Sequence, residues 1–282
     1  MLLSVRDALR QAQHAGVDRL DAQLLLGHLL NRTRTWLLAH DDQLLPPAAQ
    51  VAWPAALARR AQGEPLAYVV GEQEFCGLAL SVDANVLVPR PETEVLVGWA
   101  LECWPSSPSP SVVDLGTGSG AVALSIKQRQ PAAQVTATDL SGMALGVAQA
   151  NARRHGLDVQ WAPGHWWAAV GEQRFGLAVS NPPYIAHGDV HLTALSHEPQ
   201  MALTSGSDGL DAMRQIIDDA PDHLLPGAWL LLEHGHDQAE TIRELLTRRG
   251  FESPVTRHDL ANLPRCTGAR WPTEDSYRAQ PR

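Results

Sequence analysis

The chain has 282 residues, with 44% apolar and 19% charged side chains, and 22 basic against 31 acidic residues give a net charge of −9. This composition excludes an intrinsically disordered chain, and no apolar run approaches the roughly 20 residues of a membrane-spanning helix. The acidic balance disfavours direct binding of nucleic acid, and three cysteines without a CxxC pair argue against a disulfide framework or a zinc knuckle.

The first 75 residues have the spacing of helices and contain no strand-like run. Apolar residues recur at helical intervals over 2–12, 21–30 and 48–62. Near the N-terminus, polar residues interrupt the apolar ones too early to leave the continuous apolar segment of a signal peptide. We therefore expect a cytoplasmic protein. Residues 1–75 are therefore predicted to form a small helical bundle, in which seven arginines nearly balance eight acidic residues.

The pattern changes near residue 75. Short apolar runs on both sides of Asp83-Ala-Asn85 predict a β-hairpin, and residues 76–91 are accordingly predicted to be a hairpin linker. Pro91 and the acidic residues after it favour the start of a helix. This helix is expected to open a third segment, residues 92–282.

Strand-like and helix-like segments alternate from residue 111 onward. Strands are predicted at 111–115, 134–138, 157–161, 176–180, 228–233, 251–257 and 265–271, with helices at 119–130, 141–155, 209–224 and 236–249. Such alternation indicates a parallel sheet covered on both faces, while the last two strands lack an intervening helix and should be antiparallel. The sequence predicts an α/β fold, with a seven-stranded, mostly parallel, doubly wound sheet after the helical bundle.

A glycine-rich turn, Asp114-Leu-Gly-Thr-Gly-Ser-Gly120, follows the first of these strands. Glycine allows a sharp turn and lets a ligand approach the bare backbone at the N-terminus of the next helix. The turn also fits the relaxed dinucleotide fingerprint, so NAD and a purely structural turn are alternatives. Asp139 ends the second strand, where a carboxylate can bind ribose hydroxyls or, alternatively, cap the helix near Ser141.

The segment Asn181-Pro-Pro-Tyr184 follows the fourth strand and opens to the same edge of the sheet. Two consecutive prolines hold the backbone rigid, so the Asn181 side-chain oxygen and the Pro182 carbonyl can point in one direction. Two acceptors match the two donors of a planar –NH2 group, and Tyr184 offers a flat wall beside it. The segment favours a site that holds an amide or an exocyclic base amine, and a dinucleotide enzyme has no need of it.

Several motifs together carry a family resemblance over nearly the full length. They are Gly71-Glu-Gln-Glu-Phe75, Val88-Pro-Arg-Pro-Glu-Thr-Glu94, Asp114 to Gly120, Asn181-Pro-Pro-Tyr-Ile185, His197-Glu-Pro199, Gly206-x-Asp-Gly-Leu210 and Asp259-Leu-Ala261. The chain resembles the S-adenosylmethionine-dependent methyltransferases that modify a glutamine of class I peptide-chain release factors, the PrmC/HemK family. The resemblance implies a class I, Rossmann-like methyltransferase domain behind an N-terminal helical bundle and a hairpin linker.

The resemblance also implies roles for individual residues. The residues of the glycine turn would line the methionine part of S-adenosylmethionine: Gly116, Thr117, Gly118, Ser119 and Gly120. Asp139 would hold the ribose and Trp166 would lie beside the adenine, although the adjacent Trp167 leaves open which ring stacks. The catalytic segment would be Asn181, Pro182, Pro183 and Tyr184, with Asn181 also touching the cofactor. The chain departs from the family pattern at His165, where an acid is usual, and at Leu232-Glu-His-Gly-His236, where Glu-Ile-Gly is usual.

The implied reaction is methylation of the side-chain amide nitrogen (N5) of a release-factor glutamine, which tunes translation termination, with S-adenosylhomocysteine as product. Glutamine methylation of a ribosomal protein and adenine N6 methylation of nucleic acid are the alternatives. We expect residues 1–75 to recognise the protein substrate, and the chain to be a monomer without membrane association. Five histidines lack the spacing of metal ligands, so no metal is expected: His187, His191, His197, His234 and His236.

Overall fold

The computed structural model describes residues 3–107 and 109–273. The chain divides into two compact units, Met1–Glu72 and Gln73–Arg282, here called the N-terminal and C-terminal units. In the described residues, no helix is both long enough and apolar enough to cross a membrane.

The N-terminal unit is helical, as its spacing predicts. Its helices are α1 (Val5–His14), α2 (Arg19–Leu30), α3 (Arg34–Ala39), α4 (Pro47–Ala61) and α5 (Leu66–Val70). Ser4 caps α1, its hydroxyl accepting a hydrogen bond from the Asp7 backbone N–H at 3.2 Å. The buried Trp53 lies in the core, and its Nε1 donates to Gln11 Oε1 at 3.1 Å. The two shortest helices, α3 and α5, escape sequence periodicity because they span less than two turns.

A two-stranded hairpin, β1 (Glu72–Phe75) and β2 (Leu78–Ser81), follows the helices. The prediction of a hairpin around Asp83-Ala-Asn85 is wrong: the chain turns there, with the Val86 N–H donating to the Asp83 carbonyl at 3.2 Å, but this turn does not join two strands. The chain turns at Cys76 and Gly77, which both have positive φ, 50° and 85°, as a two-residue hairpin turn requires. The residues after β2 that were expected to form the second strand, 86–88, run as a loop instead.

The C-terminal unit contains a seven-stranded sheet, as predicted. Its strands are β3 (Ser111–Leu115), β4 (Gln134–Asp139), β5 (Gln160–Pro163), β6 (Phe175–Ser180), β7 (Leu224–Glu233), β8 (Glu252–His258) and β9 (Pro264–Arg270). They lie in the order β5-β4-β3-β6-β7-β9-β8, and β9 runs antiparallel to both of its neighbours. The chain order reverses between β3 and β6, so a crevice forms at the carboxyl ends of these two strands, where ligands bind in open α/β sheets.

Helices cover the sheet on both faces. They are α6 (Glu94–Glu102), α7 (Ala121–Arg129), α8 (Gly142–His155), α9 (Asp211–His223) and α10 (Ala239–Arg249). Neighbouring residues of β3 point to opposite faces: Val112 packs in the core with residues of α6 and α7, and Val113 packs with residues of α9 and α10. Both side chains are fully buried, which accounts for the two consecutive valines at the centre of this strand.

Candidate active site

One cavity of about 390 Å³ opens at the carboxyl edge of the sheet in the C-terminal unit. The ends of β3, β4 and β6 contribute to its wall, together with the loop before α6 and the segment after Pro199. Most of the residues predicted for the site line it: Gly116, Thr117, Gly118, Ser119, Asp139, Trp166, Asn181 and Pro183. Gly120, Pro182 and Tyr184 are not among the lining residues.

Backbone hydrogen bonds hold the glycine turn in place, and its glycines have positive φ angles. The N–H groups of Gly116 and Thr117 both donate to the Thr138 carbonyl of the adjacent strand, at 3.0 and 2.8 Å. Gly116 has a φ of 77°, and a Cβ there would lie 2.8 Å from Cζ3 of Trp166. Glycine is therefore required both by the turn and by the close approach of the indole ring. Gly120 has a φ of 85° and precedes the first residue of α7.

Asp114 ties the glycine turn to the helix that follows it. Its Oδ2 accepts hydrogen bonds from the Thr117 hydroxyl at 2.6 Å and from the Ala123 backbone N–H at 3.1 Å. Complete burial raises the pKa of the Asp114 carboxyl to about 7, against these hydrogen bonds, which lower it. Sequence reasoning assigned no role to this side chain, although an acidic residue within a buried strand is a signal that could have found it.

Asp139 presents its carboxylate to the cavity and does not cap the next helix. Its Oδ2 accepts from the Gly118 N–H at 2.9 Å and its Oδ1 from the Ser141 N–H at 2.8 Å. The cap of α8 is Ser141 itself, whose hydroxyl accepts from the Ala144 N–H. Burial raises the pKa of the Asp139 carboxyl. The carboxylate therefore connects the glycine turn with the start of α8 beside the cavity.

The two adjacent tryptophans have different environments. Trp166 lines the cavity together with His165. Trp167 is buried in the core, where its Nε1 donates to the Ile216 carbonyl at 2.8 Å and its ring stacks on His223 with centroids 5.0 Å apart. Only Trp166 of the pair is placed to stack on a ligand in this cavity.

Asn181 is the residue of the Asn-Pro-Pro-Tyr segment that both lines the cavity and has its side chain fixed by a hydrogen bond. Its Nδ2 donates to the hydroxyl of the buried Thr93 at 3.2 Å. Tyr184 turns away from the cavity and packs against the core of the C-terminal unit. The Tyr184 carbonyl accepts from Gln238 Nε2 at 2.9 Å, and burial raises the pKa of its phenol to about 12.

Two of the quoted sequence motifs meet beside the cavity. Glu198, whose side chain is 2% exposed, accepts a hydrogen bond from the Val88 backbone N–H at 3.0 Å and forms an ion pair with Arg90. Val88 and Arg90 both line the cavity. Glu198 thereby holds the loop before α6 in place, a role that sequence reasoning did not assign because the partners are 108 to 110 residues apart.

The histidines after β7 do not form a metal site. Burial lowers the pKa of His234 to about 4, and its Nε2 lies 2.8 Å from the hydroxyl of Thr267. Across residues 3–107 and 109–273, no three His, Cys, Asp or Glu side chains are grouped in a way that would hold a metal ion.

Comparisons with known proteins identify solved structures that share the fold of this chain and relatives that show its family. Residues 1–71 match the model of the PrmC N-terminal domain, and residues 97–207 match the model of the methyltransferase small domain. A solved methyltransferase from Pyrococcus furiosus is similar to this chain with a TM-score of 0.54 and 19% identity, over 76% of this chain and 97% of that one. The T. thermophilus 16S rRNA N2 G1207 methyltransferase, solved in complex with AdoMet and guanosine, is similar with a TM-score of 0.54 and 19% identity, over 71% of this chain and 49% of that one. These neighbours confirm the predicted class I methyltransferase fold.

The relative from Bordetella pertussis is a release factor glutamine methyltransferase. It is 48% identical over 256 residues, which cover 90% of this chain and 95% of that protein. Identity at this level over nearly the whole of both chains confirms the family that the motifs indicate. The chain belongs to the release factor glutamine methyltransferases.

Proposed function

We propose that the chain transfers the methyl group of S-adenosylmethionine to the side-chain amide nitrogen of a glutamine in a class I peptide-chain release factor. One observation carries the proposal: Asn181, at the end of β6, lines the same cavity as the glycine turn at the end of β3. An acceptor for a planar amide thus faces the backbone that would cradle the methyl donor. The family of the chain supports the release factor as substrate.

The cavity fits S-adenosylmethionine. Its volume of about 390 Å³ is within the usual range for a small-molecule site, roughly 300–1,000 Å³. No heavy atom lies within 4 Å of where a Gly118 Cβ would be, so the turn leaves open space for a ligand. Trp166 would stack on the adenine and Asp139 would accept hydrogen bonds from the ribose hydroxyls. AdoMet in the T. thermophilus neighbour of the same fold supports this choice. When bound, the cofactor supplies an activated methyl group on a sulfonium.

The protein's task is alignment, because an amide nitrogen is a poor nucleophile whose lone pair is delocalised into the carbonyl. We assign the two N–H groups of the substrate amide to two acceptors: Asn181 Oδ1, whose residue lines the cavity, and the backbone carbonyl of Pro182, a buried residue that lies between the two lining residues Asn181 and Pro183. These acceptors would hold the nitrogen in line with the methyl group. As positive charge develops on nitrogen, its N–H groups become more acidic and bind the same acceptors more strongly. The stabilisation is therefore larger in the transition state than in the bound substrate.

The proton that leaves the methylated amide needs no strong general base. An amide that carries a fourth substituent on nitrogen is very acidic, so water can accept the proton. This assignment leaves Tyr184 without a chemical role, in keeping with the packing of its ring against the core.

The proposal is tested by incubating the purified chain with S-adenosylmethionine labelled in the methyl group. The candidate acceptors are class I release factors, total ribosomal protein and adenine-containing DNA. We expect label in one glutamine of a release factor, located by peptide mapping. A release factor with that glutamine changed to alanine is the matched control and should stay unlabelled. Label that appears only in ribosomal protein or in adenine would contradict the proposal.

A further inference from the structure

Asn181 Oδ1 and the Pro182 carbonyl, the two proposed acceptors of the substrate amide, are here called the amide clamp. A buried carboxylate lies beside this clamp and is not one of its acceptors. Glu233 is the last residue of β7, and its side chain is 1% exposed. Ser180 of β6 pairs with Leu232 of β7, so Asn181 and Glu233 are the next residues along two adjacent parallel strands. Thr93, also buried, contacts both side chains.

The hydrogen bond between Asn181 and Thr93 sets the direction in which a relay to Glu233 would run. Asn181 Nδ2 donates to Thr93 Oγ1 at 3.2 Å. Because Thr93 accepts from Asn181, its one hydroxyl proton is left for the Glu233 carboxyl, whose pKa hydrogen bonding by Thr93 lowers. Burial raises the pKa of the Glu233 carboxyl to about 7, while hydrogen bonds from Thr93 and Asn181 and the charge of Arg265 lower it.

An asparagine amide has two orientations related by a half-turn, and only one suits the clamp. With Nδ2 directed towards Thr93 and Glu233, Oδ1 is left to accept from the substrate. In the reverse orientation an –NH2 group would face the –NH2 group of the substrate, donor against donor. Side-chain shape alone does not distinguish the two, because the oxygen and nitrogen of an amide have nearly the same size.

No cation in the described part of the chain forms an ion pair with Glu233. Arg265, which lowers the pKa of the carboxyl, is paired with Asp259 at 3.1 Å. The Oε2 atom of Glu233 is buried without a hydrogen-bond partner among the described residues. A buried carboxylate that has no ion pair and one unsatisfied oxygen is costly to stability, so its presence calls for a role other than packing.

We propose that Glu233 is a positioning residue which acts through Thr93 to hold the Asn181 amide with its oxygen towards the substrate nitrogen. The proposal rests on the proposed function, since it names what orients the clamp of that reaction. Glu233 does not touch the substrate. In its ionised form it specifies the orientation, because a carboxylate, unlike an amide or a hydroxyl, only accepts.

The central variant is Glu233→Gln, which keeps the shape but offers Thr93 either a donor or an acceptor. We expect kcat on the release factor to fall about 10- to 100-fold, the usual cost of a misplaced reacting group. The KM for the release factor and the affinity for S-adenosylmethionine should stay within about threefold. Thr93→Val breaks the same relay and should match this loss, whereas Thr93→Ser keeps the hydroxyl and should restore most of kcat.

Thr267→Val is the matched control, because it removes another buried hydroxyl of the same sheet, one that bonds to His234. It should lower the thermal midpoint as much as Thr93→Val and leave kcat unchanged. An equal loss of kcat in Thr267→Val, or wild-type kcat in Glu233→Gln or Thr93→Val, would overturn the proposal. Should Glu233→Gln not fold, the comparison of Thr93→Val with Thr93→Ser carries the same test.

A second readout does not depend on activity. In the ¹⁵N spectrum of the full-length chain, the Asn181 side-chain –NH2 signals are identified by their loss in Asn181→Ala. We expect slow proton exchange at these signals in the wild type and fast exchange with a shifted position in Glu233→Gln. Unchanged signals would overturn the role of Glu233 even if release factors are labelled as proposed. Altered signals in a chain that labels no release factor would place the failure with the proposed function instead.

Discussion

Asp139 is the side chain on which the proposed ribose contact depends. Asp139→Ala should weaken binding of S-adenosylmethionine, because it removes charge-assisted hydrogen bonds worth roughly 1.5–3 kcal/mol, or about 10- to 100-fold in affinity. Titration calorimetry measures this directly. The control is Asp158→Ala, at an exposed aspartate shortly before β5, which should leave the affinity unchanged. An Asp139→Ala chain that binds the cofactor as tightly as the wild type would remove Asp139 from the site.

Asn181 should matter to turnover more than to cofactor affinity. Asn181→Ala deletes one positioned acceptor at the reacting nitrogen, and loss of a comparable group at other active sites costs on the order of 100- to 1,000-fold in rate. The measurements are kcat on the release factor and calorimetric affinity for S-adenosylmethionine in the same preparation. The affinity serves as the internal control and should change only a few-fold. Turnover within a few-fold of the wild type would contradict the clamp.

At the scale of elements, Glu198 holds the loop from Val88 to Arg90 against the cavity. Glu198→Ala would leave the Val88 N–H buried without its acceptor, which should lower the free energy of unfolding by about 1–3 kcal/mol. The exposed pair of Glu240 and Arg243 on α10 provides the control, since Glu240→Ala should cost less than about 1 kcal/mol. Chemical denaturation of both variants checks the difference. Equal losses would show that Glu198 does not hold the loop.

How far the sequence predicts the elements depends on where they lie in the sheet. The buried strand β3 was predicted at its observed bounds, because apolar residues that pack on both of its faces lead directly into the glycine turn. The edge strand β5 was predicted to begin three residues and to end two residues too early, since its side chains are only partly buried and give a weaker pattern. The hairpin was misplaced because its turn has a non-glycine residue, Cys76, at positive φ, which composition does not signal.

The residues of the candidate site also differ in how far the sequence predicts them. The glycine turn and Asn181 were found because each combines a special backbone with a position at the end of a strand. Glu198 and Glu233 were not assigned, because Val88 and Thr93, which they approach in the fold, lie more than 100 residues earlier in the chain. Only the fold brings such pairs together. The choice between Trp166 and Trp167 likewise depended on tertiary packing, since both are aromatic residues in one short turn.

At the scale of the whole molecule, the two units have separate hydrophobic cores. Every residue of the N-terminal core falls between Leu3 and Val70, and the other two core clusters begin at Phe75 and at Val113. The cavity and all the residues that line it belong to the C-terminal unit. Residues 3–71, the part of this segment that the structure describes, therefore contribute no lining residue to the cavity, and we propose that the N-terminal segment recognises the protein substrate.

Removal of residues 1–71, which keeps the hairpin intact, tests this role. A reactive glutamine must be presented by a large partner, and a specific complex usually buries about 800 Å² on each side, far more than one side chain in a pocket provides. Seven arginines and six acidic residues in this segment nearly cancel, which disfavours nucleic acid as its partner. We expect the shortened chain to bind S-adenosylmethionine like the full chain and to methylate the release factor with a strongly raised KM. A short glutamine peptide is the control, and the two chains should methylate it equally. A normal kcat/KM on the intact release factor would refute recognition by this unit, and a shortened chain that does not fold would assign it to stability instead.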